Sequence, residues 1–140
     1  MIPDSYRKDP YMLIRKPQDV DARKMDMPGA DGVTMRLMVG RDDGAPNFAM
    51  RLFEVEPGGC TPRHSHNYEH EVMILQGQAM VGKDSDEAND ESAGAGDVLF
   101  VPANQTHQFR NIGEGVLKFM CFVPTEFDCG GSVSPTPGSF

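Results

Sequence analysis

The chain lacks long hydrophobic runs and carries less positive than negative charge. No apolar stretch among its 140 residues approaches the ~20 residues of a membrane-spanning helix. Its first ten residues hold charges and prolines without an apolar segment, so we expect no secretory signal and a cytoplasmic location. With 13 Lys and Arg against 21 Asp and Glu, the formal net charge is −8. This balance argues against nucleic acids and anionic membranes as partners, because both require clustered basic residues.

Cysteines are also scarce. The three present, Cys60, Cys121 and Cys129, form an odd set without regular spacing. Such a set indicates no disulfide framework, and free buried thiols in a reducing cytosol are the expected state.

Helical patterning is nearly absent, because an apolar period of 3.6 residues persists for three turns almost nowhere. Short runs rich in Val, Phe, Met and Leu alternate instead with Gly, Pro and Asn. They predict eight strands, at residues 33–39, 48–56, 61–66, 70–75, 78–81, 97–101, 106–111 and 116–123. The sequence therefore predicts an all-β sandwich or barrel.

The ends of the chain differ in composition from this central part. Residues 1–30 predict an N-terminal arm with one short extended segment at 11–15, residues 31–125 a β-barrel, and residues 126–140 a flexible tail. An acidic run at 83–92 predicts a solvated hairpin connection, as runs of charge usually do.

The four histidines are few but unevenly placed, at positions 64, 66, 70 and 107. Alternate strand residues share a face, so His64 and His66 project together about 7 Å apart. This spacing suits two imidazoles that converge on one metal ion, although a lone pair of this kind is also typical of polar residues on an exposed strand. Because a third histidine follows within one turn, the pattern favours a metal site.

Two motifs resemble those of the cupin superfamily. Gly58-x5-His64-x-His66-x3-His70-x6-Gly77 is similar to the first cupin motif, G-x5-H-x-H-x(3,4)-E-x6-G, and Gly96-x5-Pro102-x-Asn104-x2-His107-x3-Asn111 to the second, G-x5-P-x-G-x2-H-x3-N. The resemblance implies a single cupin jelly-roll barrel (a double-stranded β-helix) with a mononuclear metal site. It also implies a homodimer. Because the arm at 1–30 contains an extended segment, we expect it to be exchanged at the dimer interface.

The third ligand of the first motif is either His70 or Glu71. One strand does not easily offer both, because adjacent strand residues point to opposite faces. The spacing to Gly77 favours His70, which gives the metal ligands His64, His66, His70 and His107. Glu71 is then a supporting acid or a catalytic base. Asn104 replaces a motif glycine, and asparagine is the non-glycine residue best suited to a left-handed turn.

Four neutral imidazoles suit one divalent transition metal ion per chain (Mn, Fe, Ni, Co, Cu or Zn) and are poor ligands for Ca or Mg. The ion keeps its full charge and retains open positions, which favours a small anionic substrate or ligand. Three arginines near the motifs are candidates to hold an anionic substrate. By strand parity Arg63 and Arg110 point away from the histidines, which favours surface positions, whereas for Arg51 both a substrate-binding and a surface position are open. Cys60 shares parity with His64, and Tyr68 suits either the cavity mouth or the surface.

Three functions fit these residues. The first is a metal-dependent enzyme on a small carboxylate, hydroxy-acid or sugar-derived substrate, with dioxygenase, decarboxylase, lyase and isomerase not distinguished. The second is a non-catalytic, metal-dependent binding protein for a small molecule. The third is a barrel whose ion has only a structural role.

Five phenylalanines are further predicted as core residues, at positions 48, 100, 109, 119 and 122.

Overall fold

β-strands dominate residues 12–128, which are the residues that the computed structural model describes. The nine strands are β1 (Arg23–Lys24), β2 (Asp31–Val39), β3 (Phe48–Cys60), β4 (His70–Gln76), β5 (Gln78–Gly82), β6 (Glu91–Gly94), β7 (Val98–Val101), β8 (Gln108–Asn111) and β9 (Leu117–Pro124). Short 3-10 helices lie at Pro17–Asp19, Arg41–Asp43, Glu87–Asn89 and Thr125–Phe127, and this part of the chain contains no α-helix. Within the same range, no helix is long and apolar enough to cross a membrane.

The strands form one antiparallel sheet that curls into a half-barrel. Its order is β6-β5-β8-β3-β9-β4-β7, with β2 paired to β3 and β1 paired to β2. β3 occupies the middle, since its long central part pairs with β9 and its last residue pairs with β8. The predicted all-β fold is confirmed, and the curled sheet is that of a jelly-roll barrel.

The concave face of the sheet holds the core. β9 shows the period of two most plainly, because Leu117, Phe119, Cys121 and Val123 are buried while the residues between them are partly exposed. On this face, Phe53 of β3 and Phe119 of β9 are paired in register, and their rings stack with centroids 5.1 Å apart. The side chains that could contact a ligand therefore sit on a packed apolar floor.

Most predicted strands are present, and their observed ends lie within four residues of the predicted ends. The stretch 61–66 is the exception, since it is extended but pairs only through a bridge between His64 and His107. Pro62 lies in this stretch and has no N–H to donate to a ladder. β1 and β6 were not predicted, because both are short and polar. The acidic run does connect a hairpin, since β5 pairs with β6.

The prediction for the phenylalanines is right for two residues and wrong for two. Phe109 and Phe119 are buried, whereas Phe48 is 73% exposed and Phe100 is 62% exposed on the convex face. Phe122 is partly buried. Composition marked all five as core residues, but strand parity sends alternate side chains to opposite faces.

Residues on both sides of the central strands contact the sheet. Arg23 of β1 pairs with Met35, and Met25 is buried, so the later part of the arm belongs to the sheet. At the other end Asp128 is fully buried and accepts hydrogen bonds from Arg41. Contacts with the barrel therefore extend to Asp128. Residues 1–11 and 129–140 of the predicted arm and tail lie outside the described residues.

Candidate metal centre

Two segments on neighbouring strands bring the histidines together. His64 and His66 follow β3, His107 precedes β8, and the backbones of His64 and His107 exchange two hydrogen bonds of 3.1 and 2.8 Å. The N–H of Asn104 donates to the carbonyl of His66 at 2.7 Å, and Asn104 has a φ of 68°. Asparagine therefore makes the left-handed turn that the motif glycine would make.

Three imidazoles form a cluster with the geometry of a metal site. One nitrogen from each of His64, His66 and His107 lies within 4.8 Å of the others. Two nitrogens that are each about 2.0–2.2 Å from one ion lie no more than about 4.4 Å apart, so the three nitrogens are close to ligating distances. These three residues could therefore hold one metal ion.

The hydrogen bonds at the outer nitrogens fix which nitrogen of each ring carries the lone pair. Nδ1 of His107 donates to the carbonyl of Gln105 at 2.9 Å, and Nδ1 of His66 donates to the carbonyl of Tyr68 at 3.2 Å. Each neutral ring then presents Nε2 as a lone pair to the cluster. Nε2 of His107 is buried and has no hydrogen-bond partner in the described part of the chain. Such an arrangement suits a metal ligand, whose other ring nitrogen normally donates to a carbonyl or carboxylate.

His70 lies beside this cluster and outside the group of three. It is 3% exposed on β4, and its Nε2 is 2.6 Å from Nε2 of His66. Its Nδ1 is 2.7 Å from the sulfur of Cys121. Since His66 offers a lone pair at Nε2, His70 donates from its own Nε2, and the thiol of Cys121 donates to Nδ1 of His70. The two Nε2 atoms thus share one proton.

Burial keeps these imidazoles neutral. It is the main cause that lowers the pKa of His66 to about 4, with further contributions from His107 and His64. Burial also lowers the pKa of His70 and of His107, and the nearby charge of Arg51 acts in the same direction. Metal ions bind only neutral imidazole, so these three rings can act as ligands at neutral pH.

Glu71 lies on the opposite face of β4 from His70. It is exposed, and the strand alternates between buried and exposed residues from His70 to Ile74. A hydrogen bond with the Glu69 carboxyl, partial burial and the Glu69 charge raise the pKa of Glu71 to about 7. The role of Glu71 as a base stays a prediction, and its carboxyl does not face the histidines.

The three arginines near the motifs occupy different surroundings. Arg63 forms a two-point ion pair with Asp90, with contacts of 2.7 and 3.4 Å, and Arg110 lies 3.7 Å from the same carboxylate. Both therefore engage an acid outside the cluster. Arg51, by contrast, is 0% exposed on the concave face of β3.

Tyr68 packs over the histidines instead of lying on the surface. It is 5% exposed, and its ring stacks on His66 at 3.9 Å and on Phe127 at 4.0 Å. Phe127 and Cys121 were not predicted to contribute to the site. The period of two along β9 places Cys121 inside, whereas no local pattern indicates the position of Phe127. Cys60, whose strand parity predicts a position facing the cavity, instead contacts the carbonyl of Gly29 at 3.5 Å.

Two spaces adjoin the cluster. An interior cavity of about 10 Å³ lies between the histidines and the apolar floor, and its walls include His64, His70, His107 and Arg51. An outer groove of about 470 Å³ runs between the edge strands β6 and β7 and reaches His107 from the other side. His107 thus borders both a water-sized void and a space large enough for a small molecule.

Comparison with known families agrees with this architecture. A sequence model described as "Cupin domain" matches residues 51–123, a little more than half of the chain. This protein belongs to the cupin family.

Individual relatives differ in activity. The chain is 37% identical over 81 residues to 1-methylthio-D-xylulose 5-phosphate methylsulfurylase of Rhodospirillum rubrum, a match that covers 56% of this chain and 49% of that protein. The chain thus spans about half the length of that enzyme. It is 29% identical over 117 residues to an oxalate-binding protein of Thermotoga maritima, covering 80% of this chain and 93% of the relative.

Among solved structures, the polyketide cyclase RemF of Streptomyces resistomycificus is similar with a TM-score of 0.76 and 32% identity. The match covers 82% of this chain and 80% of RemF. Relatives of this fold are thus named both as enzymes and as a binding protein.

Proposed function

We propose that the protein is a metal-dependent enzyme that acts on a small anionic substrate at one divalent transition metal ion. His64, His66 and His107 would hold the ion, and His70 would be the fourth ligand. The observation that carries this proposal is the convergence of three ring nitrogens within 4.8 Å around a buried Nε2 of His107 that lacks a hydrogen-bond partner among residues 12–128. A buried lone pair of this kind is costly unless a proton or an ion satisfies it.

The residues present fit a transition metal better than Ca or Mg. All four candidate ligands are imidazoles, which suit Mn, Fe, Co, Ni, Cu or Zn, whereas Ca and Mg prefer oxygen ligands. When bound, such an ion supplies Lewis-acid or redox chemistry. Because the ligands are neutral, the ion would retain its full charge and favour a carboxylate or another oxyanion.

For His70 to become a ligand, its proton has to move from one ring nitrogen to the other. Its Nε2 donates to His66, so ligation would require the proton to reside on Nδ1, from which it can donate to the sulfur of Cys121.

The residues around the cluster perform the remaining tasks. Gln105 and Tyr68 fix the orientation of two imidazoles through their backbone carbonyls. The stacked rings of Tyr68 and Phe127 exclude water from one side of His66. The chain thereby positions its ligands before any ion or substrate arrives, which reduces the cost of reorganisation.

The names of the relatives support a small oxyanion as ligand, since one acts on a sugar phosphate and another binds oxalate. The second candidate function is a non-catalytic binding protein for such an anion. The oxalate-binding relative favours it, because the match covers 93% of that protein.

Elemental analysis of the purified full-length protein tests the metal site. We expect about one transition metal ion per chain, retained in Glu71→Ala, lost in His107→Ala and reduced in His70→Ala. Circular dichroism of each variant checks that the fold is intact. Full occupancy in His70→Ala together with loss in Glu71→Ala would overturn the four-histidine assignment. A wild-type protein that takes up no transition metal from a reloading buffer would overturn the metal site.

Oxygen uptake and product analysis with a panel of hydroxy acids and oxo acids separate the two candidate functions. Turnover of any member by the metal-loaded protein, abolished in His107→Ala, supports an enzyme. Saturable binding without turnover supports the binding protein.

We further propose that the protein is a homodimer. The convex face around β4 and β7 exposes large apolar side chains at Met73, Leu75, Val98 and Phe100. A contiguous apolar surface of this kind is typical of a protein interface. The exchange of the N-terminal arm in this dimer stays a prediction.

A further inference from the structure

A buried ion pair holds the segment that follows the last strand of the sheet. Asp128 comes directly after the 3-10 helix Thr125–Phe127 and is 0% exposed. Its carboxylate accepts hydrogen bonds from the backbone N–H of Arg41 at 3.0 Å and from Nη2 of the same residue at 3.3 Å. A Cβ atom at Gly40 would lie 2.8 Å from this carboxylate, so the glycine makes room for it. Because a buried carboxylate is costly without its partner, the pair resists separation.

Arg41 holds the chain on both sides of Phe127. Besides the buried carboxylate, its Nη2 contacts the backbone carbonyl of Glu126 and donates to it at 3.0 Å. The start of the same short helix is fixed separately, because the N–H of Thr125 donates to the carbonyl of Asn47 at 3.1 Å. The backbone of Phe127 is therefore tied to the barrel before and after the ring.

Phe127 is the first of four stacked rings that lead to the histidine cluster. Its ring lies 4.0 Å from that of Tyr68, with an angle of 10° between the planes. Tyr68 stacks on His66 at 3.9 Å and 3°, and His66 stacks on His70 at 4.4 Å and 30°. Rings packed this closely cannot tilt independently, because close packing leaves no room between them. Direct contacts thus connect the ion pair to two candidate metal ligands.

We propose that Asp128 is a positioning residue of the metal centre and that it sets the plane of the His66 ring. Because it fixes Phe127, it holds Tyr68 against the imidazole, which can then turn only if the whole stack moves. Metal affinity depends on such outer partners, since they hold a ligand in its binding orientation before the ion arrives. The inference rests on the proposed function, in which His66 is a ligand, and extends the site to a segment beyond the last strand.

The test compares variants of the full-length protein with the wild type. Asp128→Ala removes the buried carboxylate, Phe127→Leu removes only the stacked ring, and Phe127→Tyr keeps an aromatic ring at that position. Glu54→Ala is the matched control. It removes a carboxylate that pairs with Arg36 at 2.6 Å and has no part in the ring stack.

Two measurements separate a positioning role from a structural one. Competition titrations with a zinc chelator give the metal affinity. NMR spectra of the metal-free protein give the chemical shifts of the imidazole protons of His66, which the adjacent face of Tyr68 displaces. Urea unfolding gives the stability of each variant, so that affinities are compared between variants of similar stability.

In Asp128→Ala and Phe127→Leu we expect metal affinity to fall about 10-fold, the lower end of the loss typical for outer partners of a ligand. The His66 proton shifts should move in both variants toward those of an unstacked ring. Phe127→Tyr should keep the wild-type affinity and shifts, and Glu54→Ala should keep both even where it lowers stability. If Asp128→Ala does not fold, Asp128→Asn provides the comparison with a smaller loss, because the amide oxygen can still accept from the N–H of Arg41.

Wild-type affinity and unchanged His66 shifts in the Asp128 variant would overturn the inference and leave the ion pair a structural role alone. An equal loss of affinity in Glu54→Ala would overturn it as well. Failure of the proposed function looks different: the wild-type protein would then bind no metal, while the His66 shifts of the metal-free variants would still move and show that Asp128 positions this ring.

Discussion

The Nδ1 atom of His70 lies 2.7 Å from the sulfur of Cys121, across the pair of strands β4 and β9. Both residues are buried, and the strand register places Cys121 opposite Val72, two residues beyond His70. The sulfur thus occupies the position where a metal-binding histidine usually contacts a carboxylate or a carbonyl. Cys121 thereby fixes the ring plane of His70 and directs its Nε2 toward His66.

Replacement of Cys121 by alanine should weaken metal binding without abolishing it. Loss of the partner at the outer ring nitrogen leaves His70 free to rotate, and such losses typically reduce metal affinity about 10-fold to 100-fold. Competition titrations with a zinc chelator measure the change, and the visible spectrum of the Co²⁺-loaded protein reports the coordination. Cys121→Ser should recover part of the affinity, because a hydroxyl also donates and accepts.

Cys60→Ala is the matched control for this prediction, since Cys60 is partly exposed and contacts the Gly29 carbonyl away from the cluster. Its metal affinity should equal that of the wild type. An unchanged Co²⁺ spectrum and unchanged affinity in Cys121→Ala would show that the sulfur does not orient His70.

Ile74→Ala should destabilise the barrel strongly, whereas Ile112→Ala should have little effect. Ile74 is 1% exposed in the core and Ile112 is 48% exposed. Truncation of a buried isoleucine costs about 2–5 kcal/mol, because it leaves a cavity, whereas exposed substitutions usually cost less than about 0.5 kcal/mol. Urea unfolding of the metal-free protein, followed by circular dichroism, measures both. Similar losses in the two variants would contradict the assigned core.

The ion pair between Arg63 and Asp90 should make stability depend on pH in the acid range. The Asp90 side chain is 6% exposed, and its hydrogen bond to Arg63 lowers the pKa of its carboxyl in the folded state. Stabilisation is then fully present above the ordinary aspartate pKa, about 4, and is lost as the pH falls toward the lower folded pKa.

Asp90→Asn should therefore lower the free energy of unfolding at neutral pH, and its difference from the wild type should shrink below about pH 4. Glu91→Gln is the control, because its ion pair with Lys83 is largely exposed and contributes little. Unfolding curves from pH 3 to pH 7 measure the effect. A difference for Asp90→Asn that stays constant down to pH 3 would rule out this linkage.

Phe100→Asp should convert the proposed dimer to a monomer. Phe100 is 62% exposed on the convex face, and a charge placed in an apolar interface leaves an unpaired buried carboxylate. Sedimentation velocity at several concentrations should give twice the mass of one chain for the wild type and the mass of one chain for the variant. Ile112→Ala, also exposed, should remain dimeric. A wild type that is monomeric at all concentrations would disprove the dimer.

The strands were largely predictable because their signals are local. Gly77 ends β4 with a φ of 95°, and the alternation along β9 follows directly from its residues. The same local information misassigned Phe48 and Phe100, since an aromatic residue in a strand favours the core only on the inner face. Counting alternate residues from the histidines along the paired strands would have predicted Phe109 on the inner face and Phe100 on the outer face.

The candidate site was partly predictable for the same reason. The positions of His64, His66 and His107 follow from spacing within two short motifs, and the structure brings these three residues together. Strand parity predicts that His70 and Glu71 face opposite sides of β4, which the structure shows, whereas the preference for His70 as a ligand came from its spacing to Gly77. The metal ion and its fourth ligand stay predictions that elemental analysis can test.

By itself, then, the sequence determined an all-β barrel and the segments that carry the histidines, because turn residues and alternation act over a few positions. Only the tertiary structure decided the contact of His70 with Cys121, 51 residues away in the chain, and the burial of Arg51 beside the same cavity. These relationships depend on the register between distant strands, and a shift of one residue in that register would turn every side chain to the other face.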